Sequence, residues 1–155
     1  MNNIYMKEKL SGILSGYTDE KFAAAFGLAE NVNFGRLLLL LMGALGYGLL
    51  EIFWRGWTHW SMLLAGGICF LGINFLDERL PGMSDGRKSL ICGLMITAVE
   101  LLFGFLFNFV LGANIWDYSA LPYNFHGQIC LYYSLTWCVL AFFLLKLVRI
   151  LRLGL

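Results

Sequence analysis

From Leu37 onward the chain alternates long apolar runs with short polar interruptions. Four runs approach or exceed the ~20 residues that a helix needs to cross a bilayer. They are Leu37 to Trp54, Trp60 to Leu76, Ser89 to Leu111 and Ile129 to Val148. Inside hydrocarbon the backbone must satisfy its own polar groups, which such runs do as helices. The pattern predicts an all-α, polytopic membrane protein whose four transmembrane helices occupy about 37–54, 60–76, 89–111 and 129–148. A cap loop, 112–128, joins the last two, and a four-helix domain covers 37–155. Residues 1–36 form a polar segment with no small-residue cleavage site behind an apolar core, so they do not read as a cleavable signal. Thr18-Asp19-Glu20 is a helix start, since acids favour the positive end of the helix dipole. Phe22, Phe26 and Ala29 then share one stripe, predicting a short amphipathic helix on the membrane surface. A disordered tail is the alternative.

Composition agrees with that class. The chain of 155 residues is 59% hydrophobic and 14% charged, and its mean hydropathy is +0.72. Eleven Lys plus Arg against ten Asp plus Glu leave no basic footprint for nucleic acid. Cys69, Cys92, Cys130 and Cys138 show neither a CxxC nor a paired spacing, which argues against a disulfide framework.

The placement of charge predicts orientation. Lys7, Lys9, Lys21 and Arg36 precede the first run, Arg79, Arg87 and Lys88 lie between the second and third, and Lys146, Arg149 and Arg152 close the fourth. Arg55 stands alone on the opposite side, so the positive-inside rule puts both termini in the cytoplasm. The cytoplasmic face then reads as a plain basic surface. The extracytoplasmic face carries "WDYSALPYNFHGQ" and the neighbouring "WRGWTHW". Trp116, Tyr118, Pro122, Tyr123 and Phe125 suit an interfacial segment, and Asn114 to Gly127 reads as a loop folded over the bundle mouth.

Two glutamates fall inside spans, where a carboxylate at the bilayer centre costs ~2.5–3.5 kcal/mol and must face protein, water or a partner. Glu100 is the twelfth residue of the third run. Gly93, Thr97, Glu100, Gly104 and Asn108 share one helix face of small and polar residues, which predicts that this face enters the bundle. Glu51 lies one turn from the outer end of the first run, in register with Ala44, Tyr47, Gly48 and Arg55. Glu51 is either half of an interfacial ion pair with Arg55 or a binding group. Glu100 is either a structural carboxyl bonded to a neighbouring helix or, with Thr97 and Asn108, a site that exchanges a proton, cation or polar solute. His59 and His126 lie on the outer face near Glu51 and Asp117, yet no ligand spacing supports a metal or haem there. No cofactor is expected. A Walker motif, nucleophile elbow, HExxH and dinucleotide loop are all missing from the sequence.

"TAVELLFGFLFNFVLGANIWDYSALPYNFHGQICLYYSLTW", residues 97–137, resembles the CmpB-like family of type IV ABC-transporter membrane proteins. The matching positions are Glu100, Trp116, Asp117, Tyr118, Ser119, Pro122, Asn124, Gly127, Ile129, Cys130, Ser134 and Trp137. Glu51, in "YGLLEIFWRG", resembles the glutamate of the family's first helix. A family arginine is Gln128 here, His126 stands where the family has asparagine, and "WTHWSMLLAGG" replaces a Gly-Pro segment. The resemblance implies a polytopic bacterial inner-membrane protein. In an ABC system it would be a permease component with a cytoplasmic ATPase subunit docked on its basic face.

Asp117 suits a turn, as aspartate commonly accepts backbone N–H bonds, and Pro122 and Gly127 shape the chain around it. Asn124 and Gln128 are placed to bridge unpaired groups. Together with Trp116, Tyr118 and His126 they compose a cap over the outer mouth, close to Glu51, which serves as a structural lid or as a gate over Glu100. The leading functional expectation is a transporter or transporter subunit that handles a cation or small polar solute through Glu100 and Glu51. Four helices make a narrow path, so a homo-oligomer or partner is expected. The alternative is a non-transporting scaffold or lipid- or protein-binding module in the bilayer. An enzyme using Glu100 or Glu51 with His126 has the least support, because no nucleophile or metal set accompanies them.

Overall fold

A computed structural model of the chain describes residues 34–154, and its side chains through 152. The expected N-terminal amphipathic helix lies outside the described residues. Four helices carry the apolar runs: α1 (Phe34–Arg55), α2 (Trp60–Arg79), α3 (Asp85–Phe103) and α4 (Leu131–Gly154). Each is long and apolar enough to span a bilayer. Beyond Phe103 the third span continues with a π-helical winding from Gly104 to Val110. At its end Leu111 N–H reaches back to Leu106 O at 3.0 Å.

Local chemistry sets the ends. Gly56, at φ +81°, stops α1 in a conformation that a side chain would resist. The His59 ring caps α2 by accepting the Ser61 N–H at 3.3 Å. Pro81 and Gly82 (φ +81°) end α2, and Ser84 with Asp85 opens α3 at its positive pole. The fourth helix starts two residues later than the apolar run, because Ile129–Cys130 (β2) pairs antiparallel with Asn124–Phe125 (β1). At the intervening turn His126 and Gly127 both have positive φ, 49° and 69°.

Lipid gives helices no hydrophobic reason to associate, so close packing must do it, and small residues permit it. In α1 and α2, a Cβ on Gly43 would stand 2.8 Å from Gly66 O, and one on Gly67 would stand 2.8 Å from Leu40 O. In α3 and α4, a Cβ on Gly93 would meet Cys138 Sγ and stand 2.8 Å from the Cys138 N and Cα. One buried cluster (Ile73, Cys92, Ala141, Leu145 and Val148 at its centre) lies toward the α2–α3 turn. A second (Met62, Ala65, Phe103, Phe107 and Ile115) lies under the cap.

Candidate functional site: a carboxylate under a latched cap

Glu100 sits on the bundle-facing side of α3 and is 7% exposed. Its two oxygens are held from two directions. Trp137 of α4 donates its Nε1–H to Oε2 at 2.9 Å. Tyr118, which belongs to the cap loop, donates its hydroxyl to Oε1, also at 2.9 Å. The Tyr118 ring stacks on Tyr133 at 4.6 Å between centroids, so the phenol is aimed rather than free to swing. Burial, and after it the Glu100 carboxylate, pushes the Tyr118 phenol above its ordinary pKa of 10.0. Tyr118 therefore remains a proton donor throughout the physiological range.

The carboxylate borders a cavity of about 370 Å³. Its back wall is α2 and α3, with Met62, Ala65, Phe70 and Ile96 buried; Trp137 closes one side. Among the described residues, Glu100 is the one carboxyl group in the lining, and Tyr47 and Trp137 bring polar atoms beside it.

The cap is knit by its own polar groups. Asn108 is the central tie: its amide donates to Trp116 O at 3.1 Å and Gln128 Oε1 at 2.8 Å, while its Oδ1 accepts the Ile115 N–H at 2.7 Å. The π-helical winding turns Asn108 toward the loop, and Gly104 one turn earlier leaves room for Gln128 and Trp116. Trp116 Nε1–H donates to Gln128 O at 2.9 Å. Asp117 accepts the Ser119 N–H at 2.8 Å and its hydroxyl at 2.9 Å. Asn124 donates to Leu121 O at 2.7 Å and accepts the Gly127 N–H at 3.0 Å. His126 holds the exposed turn, and Gln128 donates to its carbonyl at 3.1 Å.

Glu51 lies apart from the cavity. Arg55 Nη2 donates to its Oε1 at 2.7 Å and Thr58 to its Oε2 at 2.6 Å. Arg55 Nη1 goes on to Ile115 O at 2.8 Å, fastening the end of α1 to the cap. Thr97 donates to Gly93 O of its own helix at 3.0 Å. Of Glu100, Glu51, Thr97 and Asn108, only Glu100 lines the cavity.

The opposite end of the bundle differs from the plain basic surface expected. Asp77, near the end of α2, gathers three cations: Lys88 at 2.6 Å, Arg149 at 2.7 Å and Arg152 at 2.6 Å. Arg149 also pairs with Asp85 at 2.8 Å and Arg152 with Glu78 at 3.1 Å. Much of the charge counted as surface is used inside the fold, clamping α2, α3 and α4 together. The roles of Trp137 and Asp77 were missed in the sequence, although each left a signal there. An indole N–H inside an apolar run needs an acceptor, and Glu100 is the deepest carboxylate available. An Asp-Glu pair at the end of an apolar run, facing the basic ends of two others, needs cations.

The model of the family described as "Putative ABC-transporter type IV" matches residues 22–153. The chain belongs to this family. It is an ABC-transporter-related, multi-pass membrane protein, with four helices among the described residues long and apolar enough to cross a lipid bilayer. No curated protein matches it, and no solved structure does. The match takes in the cap, Glu100 and the Asp77 clamp alike.

Proposed function

We propose that this chain is the membrane-embedded component of an ABC-type transport system in the bacterial cytoplasmic membrane. Glu100 is its solute-contacting carboxylate and Tyr118 the latch that holds the cap shut over it. The observation that carries this reading is the Tyr118–Glu100 hydrogen bond. A loop residue reaches into the bundle to engage the carboxylate that borders the cavity. A solute offering a better donor than a phenol displaces Tyr118, and the cap is thereby coupled to occupancy. Energy comes from a cytoplasmic ATPase subunit, since this sequence carries no nucleotide motif. A single four-helix bundle is narrow, so the working pathway is a homo-oligomer or a complex with further subunits.

Cys69 lines the same cavity and reports on the latch. With Cys92, Cys130 and Cys138 replaced by alanine, a membrane-impermeant thiosulfonate is expected to label Cys69 slowly in the otherwise unaltered chain. Tyr118→Phe removes the latch and is expected to raise the rate about tenfold, the equivalent of ~1.4 kcal/mol. Equal rates would return Glu100 and Tyr118 to a purely structural pairing and favour a non-transporting membrane scaffold.

The excess of Lys and Arg at the end of the bundle away from the cap supports a cap outside and both ends of the domain in the cytoplasm. In intact cells Ala120→Cys, on the exposed cap, is expected to react with an impermeant maleimide. Ser84→Cys, in the α2–α3 turn, is expected to react only after permeabilisation. The reverse pattern would invert the topology.

A further inference from the structure

The cavity beside Glu100 opens sideways. Its rim is formed by Met42, Gly46 and Leu50 of α1 and Leu147 of α4, and Met42, Leu50 and Leu147 are each more than 40% exposed. These residues lie within spans, so the mouth faces hydrocarbon rather than water. A dry cavity of about 150 Å³ already takes up benzene, and this one, at about 370 Å³, is more than twice that size. An apolar lining excludes a hydrated ion or sugar, since little but Glu100 would replace its water. Among the described residues the lining carries one carboxylate and no cation. A carboxylate has about four acceptor sites, and Tyr118 and Trp137 take one each.

We infer that the cleft between α1 and α4 is a lateral binding site for a membrane-dissolved cationic amphiphile, an alkyl chain bearing an ammonium head. The chain replaces lipid against the rim and fills the apolar cavity. The ammonium reaches the open acceptor positions of Glu100 and is positioned to displace the Tyr118 hydroxyl. This inference rests on the reading of Glu100 as the solute-contacting group and replaces the small polar solute with a lipophilic one. It also accounts for a cavity whose entrance lies in the bilayer while its latch belongs to the cap.

Gly46 offers a plug that spares the fold, because a Cβ built there meets nothing within 4 Å. Leu50→Trp, at the exposed rim, is a second plug. The full chain in lipid nanodiscs would be irradiated with hexadecylamine carrying a diazirine on its chain. The same chain bearing an alcohol or a carboxylic acid head gives the matched controls. The amine is expected to label the α1 and α4 rim peptides about tenfold more than either control, as one charge-assisted hydrogen bond would give. Gly46→Phe and Leu50→Trp are expected to abolish that excess, and Glu100→Gln to bring the amine down to the level of the alcohol.

Equal labelling by all three probes, indifferent to both plugs, would overturn the inference and mark the rim as ordinary lipid contact. So would rim peptides cross-linked instead to residues 1–33 or to a second copy, which would assign the cleft to a protein occupant. Cys69 gating by Tyr118→Phe reads out separately. If gating persists while the amine shows no preference, the latch stands and the amphiphile falls. If the amine preference persists without gating, the site is real and the transport reading fails.

Discussion

Asp77→Ala is expected to be the most damaging single substitution in the described part of the chain. The Asp77 and Lys88 side chains are only 6% and 7% exposed and sit 2.6 Å apart. Removing the carboxylate leaves the ammonium buried with only the Asp77 carbonyl, at 3.1 Å, for company. Breaking a buried pair from one side costs about 3–5 kcal/mol, because the surviving charge has been desolvated without compensation. Arg149 and Arg152 add less to this loss. Each is about one-third exposed and keeps a second partner, Asp85 or Glu78. Removing both buried charges should therefore recover most of the stability, as apolar replacements of a buried pair often do. Unfolding of Asp77→Ala and of Asp77→Leu/Lys88→Met in mixed micelles would separate the two effects. A single variant within about 0.5 kcal/mol of the parent would mean that the clamp contributes nothing.

Gly93→Leu should come next. The site faces the backbone of α4, and backbone, unlike the end of a flexible side chain, has nowhere to go. A leucine must push α3 from α4 along the packed seam that also holds Trp137 against Glu100. Overpacking of this kind costs about 1–3 kcal/mol and sometimes more. The upper end applies here because two helix backbones have to separate. Gly46→Leu is the matched control: the same residue change in another span, at a position with open space. A large loss of stability is expected for Gly93→Leu, and a change within about 0.5 kcal/mol for Gly46→Leu. A similar loss from both would attribute the effect to glycine itself rather than to the close approach.

The contrast between these glycines shows what a sequence carries and what it does not. Run length and apolarity yielded four spans whose boundaries differ from the helices by a few residues, since lipid tolerates little else at that depth. The face of Gly93, Glu100, Gly104 and Asn108 was legible from spacing alone, and those four residues do meet α4 or the cap. Thr97 shares the spacing but commits its hydroxyl to its own helix, an option that periodicity does not register. The π-helical stretch was also hidden, because no residue type demands it. Partner identity was the larger gap. Tyr118 and Trp137 are 18 and 37 residues from Glu100, and only the folded loop and the packed fourth helix bring them to it. The basic charges were counted correctly and interpreted too simply, because a count does not reveal that Asp77 engages three of them.

The cap's turn illustrates a finer limit. His126 occupies a left-handed conformation, which histidine, like asparagine, adopts more readily than most residues. That gives a backbone reason for His126 where the resemblance has asparagine. Beside it, Gly127 has positive φ and no room for a Cβ against Asp117. The loop is therefore specified by conformation and packing, and the side chain it sends to the buried carboxylate is Tyr118.

A latched cap requires Tyr118 to be energetically joined to Glu100. A double-mutant cycle with Tyr118→Phe, Glu100→Gln and the combined variant, read by unfolding in mixed micelles, measures the join directly. A coupling of about 1–3 kcal/mol is expected, in the range found for partners in one buried hydrogen bond. Additive effects, with no coupling beyond about 0.3 kcal/mol, would contradict a cap latched to the carboxylate.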